Sequence, residues 1–305
     1  MATQLQDSVE MVEFTLNGQK ISARADETIL KIAEREGIEI PHLCYSEREG
    51  QDGNCRSCMV EVEGERVLAP SCCRYPGNDM KVQTNSERAL HSQKMVLELL
   101  KSDVSEKPHT LHSELDYWAG KLKISTPRFQ PRKQVAPDLS HPGIAVNMDA
   151  CIQCTRCVRA CRDEQNNDVI GLAMRGSHTE IVFDLDDPMG ESTCVACGEC
   201  VQACSTGALM PANEVGMVEP DRQVESVCPY CGVGCQLTYN IKDDKILYVE
   251  GRDGPANHGR LCVKGRYGFD YVHHPHRLTK PLIRREGAPK TGEFTMEPND
   301  TDKIF

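Results

Sequence analysis

CIQCTRCVRAC at 151–161 and CVACGECVQAC at 194–204 are two copies of one eleven-residue pattern, C-x2-C-x2-C-x3-C. Working outward, the same residue recurs in groups of four on both sides, each containing at least one pair at two-residue spacing. Cys44, Cys55, Cys58 and Cys72 lie upstream, and Cys228, Cys231, Cys235 and Cys262 lie downstream. With Cys151, Cys154, Cys157 and Cys161, and Cys194, Cys197, Cys200 and Cys204, these account for 16 of the 17 cysteines, in four groups of four. Cys73 is left over and is expected to be a buried or spectator thiol beside Cys72.

Disulfides at this density belong to short secreted chains. Here the first residues, through Glu13, are acidic and polar where a signal peptide needs a basic start and an apolar run. No run of apolar residues is long enough to span a bilayer. The expected setting is therefore cytoplasmic and reducing, where thiolates at two-residue spacings are metal ligands. A formal charge of -11 argues against a nucleic-acid surface, which needs clustered Lys and Arg in excess. With 39% hydrophobic and 5% aromatic residues in 305, several small modules held partly by metal are expected rather than one large core.

The doubled run is the spacing of a two-cubane iron–sulfur site in which the fourth cysteine of each run serves the other cluster. On that pattern Cys151, Cys154 and Cys157 share one [4Fe–4S] cluster with Cys204, and Cys194, Cys197 and Cys200 share another with Cys161. Arg162 and Ser205 stand where proline commonly follows the fourth cysteine; neither is a ligand. The first group, C-x10-C-x2-C-x13-C, draws three thiolates from one loop carrying Gly53 and Asn54, which suits two irons and two sulfides; structural zinc is the alternative. The fourth group, CPYCGVGC at 228–235 closed by Cys262, has Gly232, Gly234 and Gly259 to let backbone wrap a further four-iron cluster closely. Lys264, two residues beyond, is either a charge beside that cluster or an ordinary solvated lysine.

Around the ligands, alternation from Val12 to Ala23 about Asn17-Gly18 predicts a hairpin. A helix follows, with Asp26 as N-cap and Gly37 just past its end. Thr84 to Lys101 predicts a second helix opened by Thr84 and Glu87, with Leu90, Val96, Leu97 and Leu100 as its stripe. Pro127 to Pro142 reads as a linker, Glu180 to Phe183 as a strand, and Leu237 to Glu250 as a hairpin turning at Asp243-Asp244. The tail from Pro275 shows no periodicity.

Together these motifs resemble the N-terminal iron–sulfur half of the NAD-dependent molybdenum- or tungsten-pterin formate dehydrogenase alpha subunit, a relative of the large iron–sulfur subunit of complex I and of iron-hydrogenase accessory domains. The resemblance implies an α+β, multi-domain chain. HLCYSEREGQDGNCRSCMVEVEGERVLAPSC belongs in a β-grasp [2Fe–2S] domain at 11–83, followed by a helical segment at 84–126 and the linker at 127–142. The two-cluster ferredoxin domain falls at 143–215, the four-iron domain of molybdopterin oxidoreductases at 221–274, and a tail at 275–305.

It further implies one [2Fe–2S] and three [4Fe–4S] clusters, and for Lys264 a cofactor-binding place between cluster and pterin. Relatives often add a histidine-ligated cluster after the two-iron domain; here His109 and His112 have no cysteine near them, so that cluster is expected to be absent and both histidines to lie at the surface. The formate-oxidising residues and most contacts to the pterin are expected in a separate catalytic subunit or a C-terminal half outside this chain, and no catalytic residue is assigned within it. Expected partners are that catalytic part and flavin/NAD-binding diaphorase subunits. The alternative reading is an iron–sulfur subunit of a hydrogenase or of a complex I-like NADH oxidoreductase.

Overall fold

The computed structural model describes residues 10–212 and 215–281. The N-terminal stretch through residue 9 and the tail beyond residue 281 lie outside the described residues. The chain divides into two compact units, Met1–Glu219 and Pro220–Phe305.

The first unit begins with the expected hairpin, β1 (Met11–Leu16) and β2 (Gln19–Arg24), paired from Met11↔Arg24 to Leu16↔Gln19. Its two-residue turn has Asn17 at φ 50° and Gly18 at φ 86°, the left-handed pair that matches the twist of a tight hairpin. α1 (Ile29–Arg35) then packs Ile29, Leu30, Ile32 and Ala33 against the strands. Its N-cap is Thr28, whose hydroxyl accepts from the Lys31 amide, rather than Asp26. Asp26 is already engaged by the Arg24 guanidinium through both carboxylate oxygens. Gly37, at φ 73°, closes the helix as expected: its amide donates to Glu34 and that of Ile38 reaches back to Ala33, a paired C-terminal cap.

β3 (Met59–Val62), β4 (Ala69–Pro70) and β5 (Lys81–Gln83) complete a five-stranded mixed sheet in the order β2-β1-β5-β3-β4, with β1 and β5 parallel. One core of sixteen buried residues joins the sheet to α1, and Cys58 and Cys72 belong to it.

α2 (Glu87–Asp103) starts two residues later than its sequence predicts, because Ser86 caps it through the Ala89 amide. Thr84 cannot take that role, since its backbone and hydroxyl are both bonded to the Asn17 side chain. α3 (Glu114–Lys121) pairs with α2, and Leu97, Leu115 and Trp118 form a second core with Leu43 and Ile152. The stretch 127–142 has no regular element but is pinned at both ends. Arg128 makes a two-oxygen pair with Glu98, and Asp138 bridges backbone to backbone with Val146.

The remainder of this unit hangs on two short sheets. β6 (Ile144–Val146) pairs with β9 (Leu209–Pro211), and β7 (Ile170–Ala173) with β8 (Glu180–Phe183). Between them run the short helices α4 (Arg156–Arg159) and α5 (Glu199–Ala203), one in each cysteine repeat.

The second unit is a three-stranded antiparallel sheet, β10 (Arg222–Val227), β11 (Gln236–Lys242) and β12 (Lys245–Gly251). Asp243 and Asp244 take the left-handed turn positions between β11 and β12, at φ 48° and 60°. Its buried core is Leu237, Val249 and Leu261. A short helix, α6 (Val263–Tyr267), follows Cys262.

Candidate metal centres

Each cysteine repeat places its thiols by the same backbone device. The second residue after the first cysteine, and the residue directly after the second cysteine, are left-handed: Gln153 (φ 56°) and Thr155 (φ 62°) in one copy, Ala196 (φ 55°) and Gly198 (φ 73°) in the other. Left-handed residues among right-handed ones turn successive amides to one side, forming a concavity for negative charge. The Gln153 amide accordingly donates to Cys151 Sγ at 3.4 Å and that of Ala196 to Cys194 Sγ at 3.3 Å. The amides of Arg156 and Glu199 do the same for Cys154 and Cys197.

A β-branched residue is a costly choice for such a conformation. Thr155 is held there by tertiary bonds. Its hydroxyl lies 2.6 Å from Asp52 Oδ2 and accepts from the Asn54 side chain at 3.1 Å.

Cys151, Cys154, Cys157 and Cys204 line one cavity, closed by Ile152, Ile181 and Leu209. The fourth cysteine of the second repeat thus stands with the first three of the first, and the Leu209 amide donates to its sulfur at 3.4 Å. In the other direction, Cys161 is an electrostatic neighbour of Cys194 and Cys197. Cys157 and Cys200 are neighbours across the two sets. Burial pushes the Cys151 thiol up to about 12 and raises Cys154, Cys157, Cys194 and Cys197 as well. Burial thus disfavours the bare thiolates, a cost that a bound cation would offset by taking up their charge.

In the first group Cys44, Cys58 and Cys72 are buried and Cys55 is half-buried. Their thiols hydrogen-bond to one another: bonds with Cys55 and Cys72 hold Cys44 low, and a bond with Cys72 lowers Cys58 to about 7. Their partners Cys55 and Cys72 are raised in turn. Gly53, at φ 71°, has the Cys73 sulfur 2.8 Å from where a Cβ would stand, so the loop closes on this side only with glycine. Cys73 is half-buried with its sulfur 3.5 Å from that of Cys72.

The fourth group is more open. Cys228 and Cys235 are half-buried while Cys231 and Cys262 are exposed; burial, and then the proximity of the other three thiols, raises Cys235. Gly232 and Gly234 are left-handed, at φ 78° and 85°. The closing loop is tied by Asn257, which donates to the carbonyls of Gln236, Arg252 and Arg260 and accepts from the Gln236 amide. A Cβ on Gly251 would run into the Gly259 carbonyl oxygen, so the loop presses directly on the end of β12. Lys264 is exposed, on the second residue of α6.

His109 is not at the surface as its sequence context suggested. Its side chain is 10% exposed, with Nε2 3.0 Å from both carboxylate oxygens of Asp149. His112 is 63% exposed, as expected.

Sequence reasoning missed two arginines of the first repeat. Arg156 and Arg159, 4% and 6% exposed, reach across to the first cysteine loop. Arg156 pairs with Glu114 at 2.6 and 2.8 Å and donates to the Tyr45 carbonyl, while Arg159 donates to the carbonyls of Cys44, Glu49 and Gly50. Nothing in CIQCTRCVRAC distinguishes them from surface arginines, because their partners lie 42 to 115 residues upstream.

Among the described residues no three His, Cys, Asp or Glu side chains gather as a site for one metal ion. The case for clusters rests on ligand spacing and on the donor set. Amides aimed at sulfurs and buried cations beside a cysteine loop suit a polynuclear anionic group.

Comparison with known proteins agrees with this donor set. Residues 9–87 match a 2Fe-2S iron-sulfur cluster binding domain, and residues 141–210 the ferredoxin-like domain of NADH-quinone oxidoreductase subunit 3. Residues 221–274 match the molybdopterin oxidoreductase Fe4S4 domain. The chain thus carries a 2Fe-2S domain, a ferredoxin-like domain and an Fe4S4 domain.

It is 32% identical over 293 residues to an NADH-quinone oxidoreductase subunit of Rhizobium meliloti, covering 91% of this chain and 33% of that one. A putative formate dehydrogenase of Staphylococcus haemolyticus is 27% identical over 324 residues, covering 90% and 32%. The chain thus spans about one third of the length of these curated relatives. Among solved structures it resembles an NAD+-reducing [NiFe]-hydrogenase in the H2-reduced state, at a TM-score of 0.61 and 26% identity, over 66% of this chain and 87% of that one. No helix among the described residues is long and apolar enough to cross a membrane.

Proposed function

We propose that this chain is the electron-relay part of an NAD-linked, molybdopterin-dependent formate dehydrogenase, located in the cytoplasm. In this reading 11–83 is a β-grasp domain holding one [2Fe–2S] cluster on Cys44, Cys55, Cys58 and Cys72. The ferredoxin domain at 143–215 holds two [4Fe–4S] clusters. One is on Cys151, Cys154, Cys157 and Cys204; the other is on Cys194, Cys197, Cys200 and Cys161. Cys228, Cys231, Cys235 and Cys262 hold a third in the domain at 221–274. Such clusters, when bound, take up and release single electrons.

The observation that carries the reading is the meeting of Cys204 with Cys151, Cys154 and Cys157 around one cavity. A ligand set shared between two repeats suits paired redox centres better than independent structural ions. The protein's own work is to exclude water from the buried sulfurs, to aim amides at them and to hold neighbouring centres at fixed separations. Lys264 is assigned to the side facing a molybdenum- or tungsten-pterin, which a separate catalytic part would hold. A flavin/NAD diaphorase partner would serve the opposite end of the relay.

The likeness to the NAD+-reducing hydrogenase favours a second reading, a relay for a hydrogenase or a complex I-like enzyme. The fourth cysteine group and its match to a molybdopterin oxidoreductase domain weigh toward the first.

The test is anaerobic purification with iron, acid-labile sulfide, molybdenum and tungsten analysis, followed by paramagnetic resonance after dithionite reduction. About fourteen irons and fourteen sulfides per chain are expected from one two-iron and three four-iron centres. Zinc without sulfide would defeat every relay model. Formate-dependent dye reduction by this chain alone, with molybdenum or tungsten bound, would defeat the division of labour proposed here. Affinity capture that retrieves a pterin protein supports the formate reading; retrieval of a nickel–iron protein favours the second.

A further inference from the structure

Arg159 is a buried cation without a bonded anion. At 6% exposure its guanidinium meets three carbonyl oxygens, that of Cys44 and those of Glu49 at 2.9 Å and Gly50 at 2.8 Å, and its Nε has no partner. No described carboxylate pairs with it. Asp163, which feels it through space, is exposed and bonded to Arg162. Arg156, one turn earlier, is equally buried but paired with Glu114, and it donates to the Tyr45 carbonyl. All the carbonyls that receive these two side chains belong to the loop that opens with Cys44.

A guanidinium removed from water is strongly unfavourable unless negative charge lies close by. Carbonyl dipoles meet part of that need. A two-iron centre on four thiolates meets the rest, because two ferric ions, two sulfides and four thiolates sum to a dianion. Reduction adds one electron and no proton, so the reduced form carries one more negative charge. A fixed cation nearby therefore stabilises the reduced form more than the oxidised form.

We infer that Arg159, with Arg156 beside it, is a positioning residue that fixes the first cysteine loop on the first ferredoxin repeat and raises the reduction potential of the centre held in that loop. The inference rests on the reading of Cys44, Cys55, Cys58 and Cys72 as a two-iron site. Because the arginines lie on α4, between Cys154 and Cys161, the second cysteine group carries the charge that sets the potential of the first.

The test is a dithionite titration of the anaerobically purified full-length protein, following the two-iron paramagnetic signal and measuring iron and sulfide in the same samples. Arg159→Gln should make one-electron reduction about tenfold less favourable, a fall of about 59 mV in midpoint. Arg159→Lys, which keeps the charge, should restore most of that shift. Glu114→Gln removes an anion from the same cluster of groups and should move the midpoint upward, by about threefold in the reduction equilibrium.

An unmoved midpoint in the fully loaded Arg159→Gln protein would overturn the inference, as would a lysine variant that falls as far as the glutamine one. Should Arg159→Gln fail to assemble the centre, Glu114→Gln decides: a rise supports the inference and its absence overturns it. A wild-type protein with no two-iron signal defeats the underlying reading, an outcome distinct from a normal signal that the variants do not shift.

Discussion

The first and fourth cysteine groups solve one problem with different means. Both gather four thiols from a glycine-bearing loop and a distant closing cysteine. The first does so inside a domain whose core has sixteen buried residues, two of them cysteines of the group itself. The fourth does so in a unit whose buried core is Leu237, Val249 and Leu261, with two of its thiols exposed. Apolar burial, together with the bonds from Arg156 and Arg159 to its carbonyls, can hold the first loop in place. Among the described residues of the second unit, little besides a hydrogen-bonded loop and the proposed metal centre is available to do so. A metal site can therefore be an addition to a fold or a large part of its stability.

That contrast is broken or sharpened most directly by removing iron. Anaerobic chelation should lower amide-exchange protection in β10–β12 by about a hundredfold or more while β1 and β5 keep theirs, read by hydrogen-exchange mass spectrometry. Equal loss in both regions would erase the distinction.

Next in size is Gly251→Ala, whose new methyl would clash with the Gly259 carbonyl oxygen. It should destabilise the second unit by about 3 kcal/mol in denaturant titration of the loaded protein. Gly37→Ala meets nothing within 4 Å and strains only the backbone at φ 73°, so it should cost about 1 kcal/mol.

Asn257→Ala leaves the carbonyls of Gln236, Arg252 and Arg260 without its amide and should cost about 2 kcal/mol. It should also loosen the fourth centre, seen as faster iron release to a chelator. Thr28→Ala, the corresponding loss of one side-chain bond in the first domain, should cost about 1 kcal/mol and leave iron release unchanged.

The smallest expected effect concerns pH. Burial works to raise the Asp138 carboxyl, but hydrogen bonds from Ser140 and the Met189 amide outweigh it and hold the group below its ordinary value. A depressed carboxyl contributes stability that is present above its unfolded value and lost as pH falls through the folded one. Asp138→Asn should therefore lower the stability of the first unit near neutrality and flatten its acid limb below about pH 4, the gap to the parent protein closing as pH falls.

What could be read from the sequence was what is local. Asn17-Gly18 and Asp243-Asp244 carry their turn conformations in their own residue types, and the hairpins they predict are present. The two caps failed for a shared reason. Asp26 and Thr84 are sound capping residues, but each is claimed by another group, Arg24 in one case and Asn17 in the other. The Asn17 contact is made 67 residues away in sequence. β10 left no signal because almost all of it is exposed, so its residues need not alternate.

The candidate ligands were legible because cysteine spacing is local chemistry. The meeting of Cys204 with the first repeat followed from the spacing pattern. The buried arginines did not, since charge and burial are unrelated until the tertiary partner is known. His109 was hidden in the same way by Asp149, 40 residues on.

The core formed by Leu43, Leu97, Leu115, Trp118 and Ile152 has a practical consequence for anyone dissecting the molecule. Cys55 and Cys154, from different cysteine groups, pack against the same apolar wall. A cut anywhere in 127–142, where composition invites one, would strip Ile152 from that wall and leave Arg156 and Arg159 facing solvent on one fragment, with bare carbonyls on the other. Neither fragment would be a natural piece of the protein. The proline-rich stretch that looks like a hyphen between two words runs outside a single word.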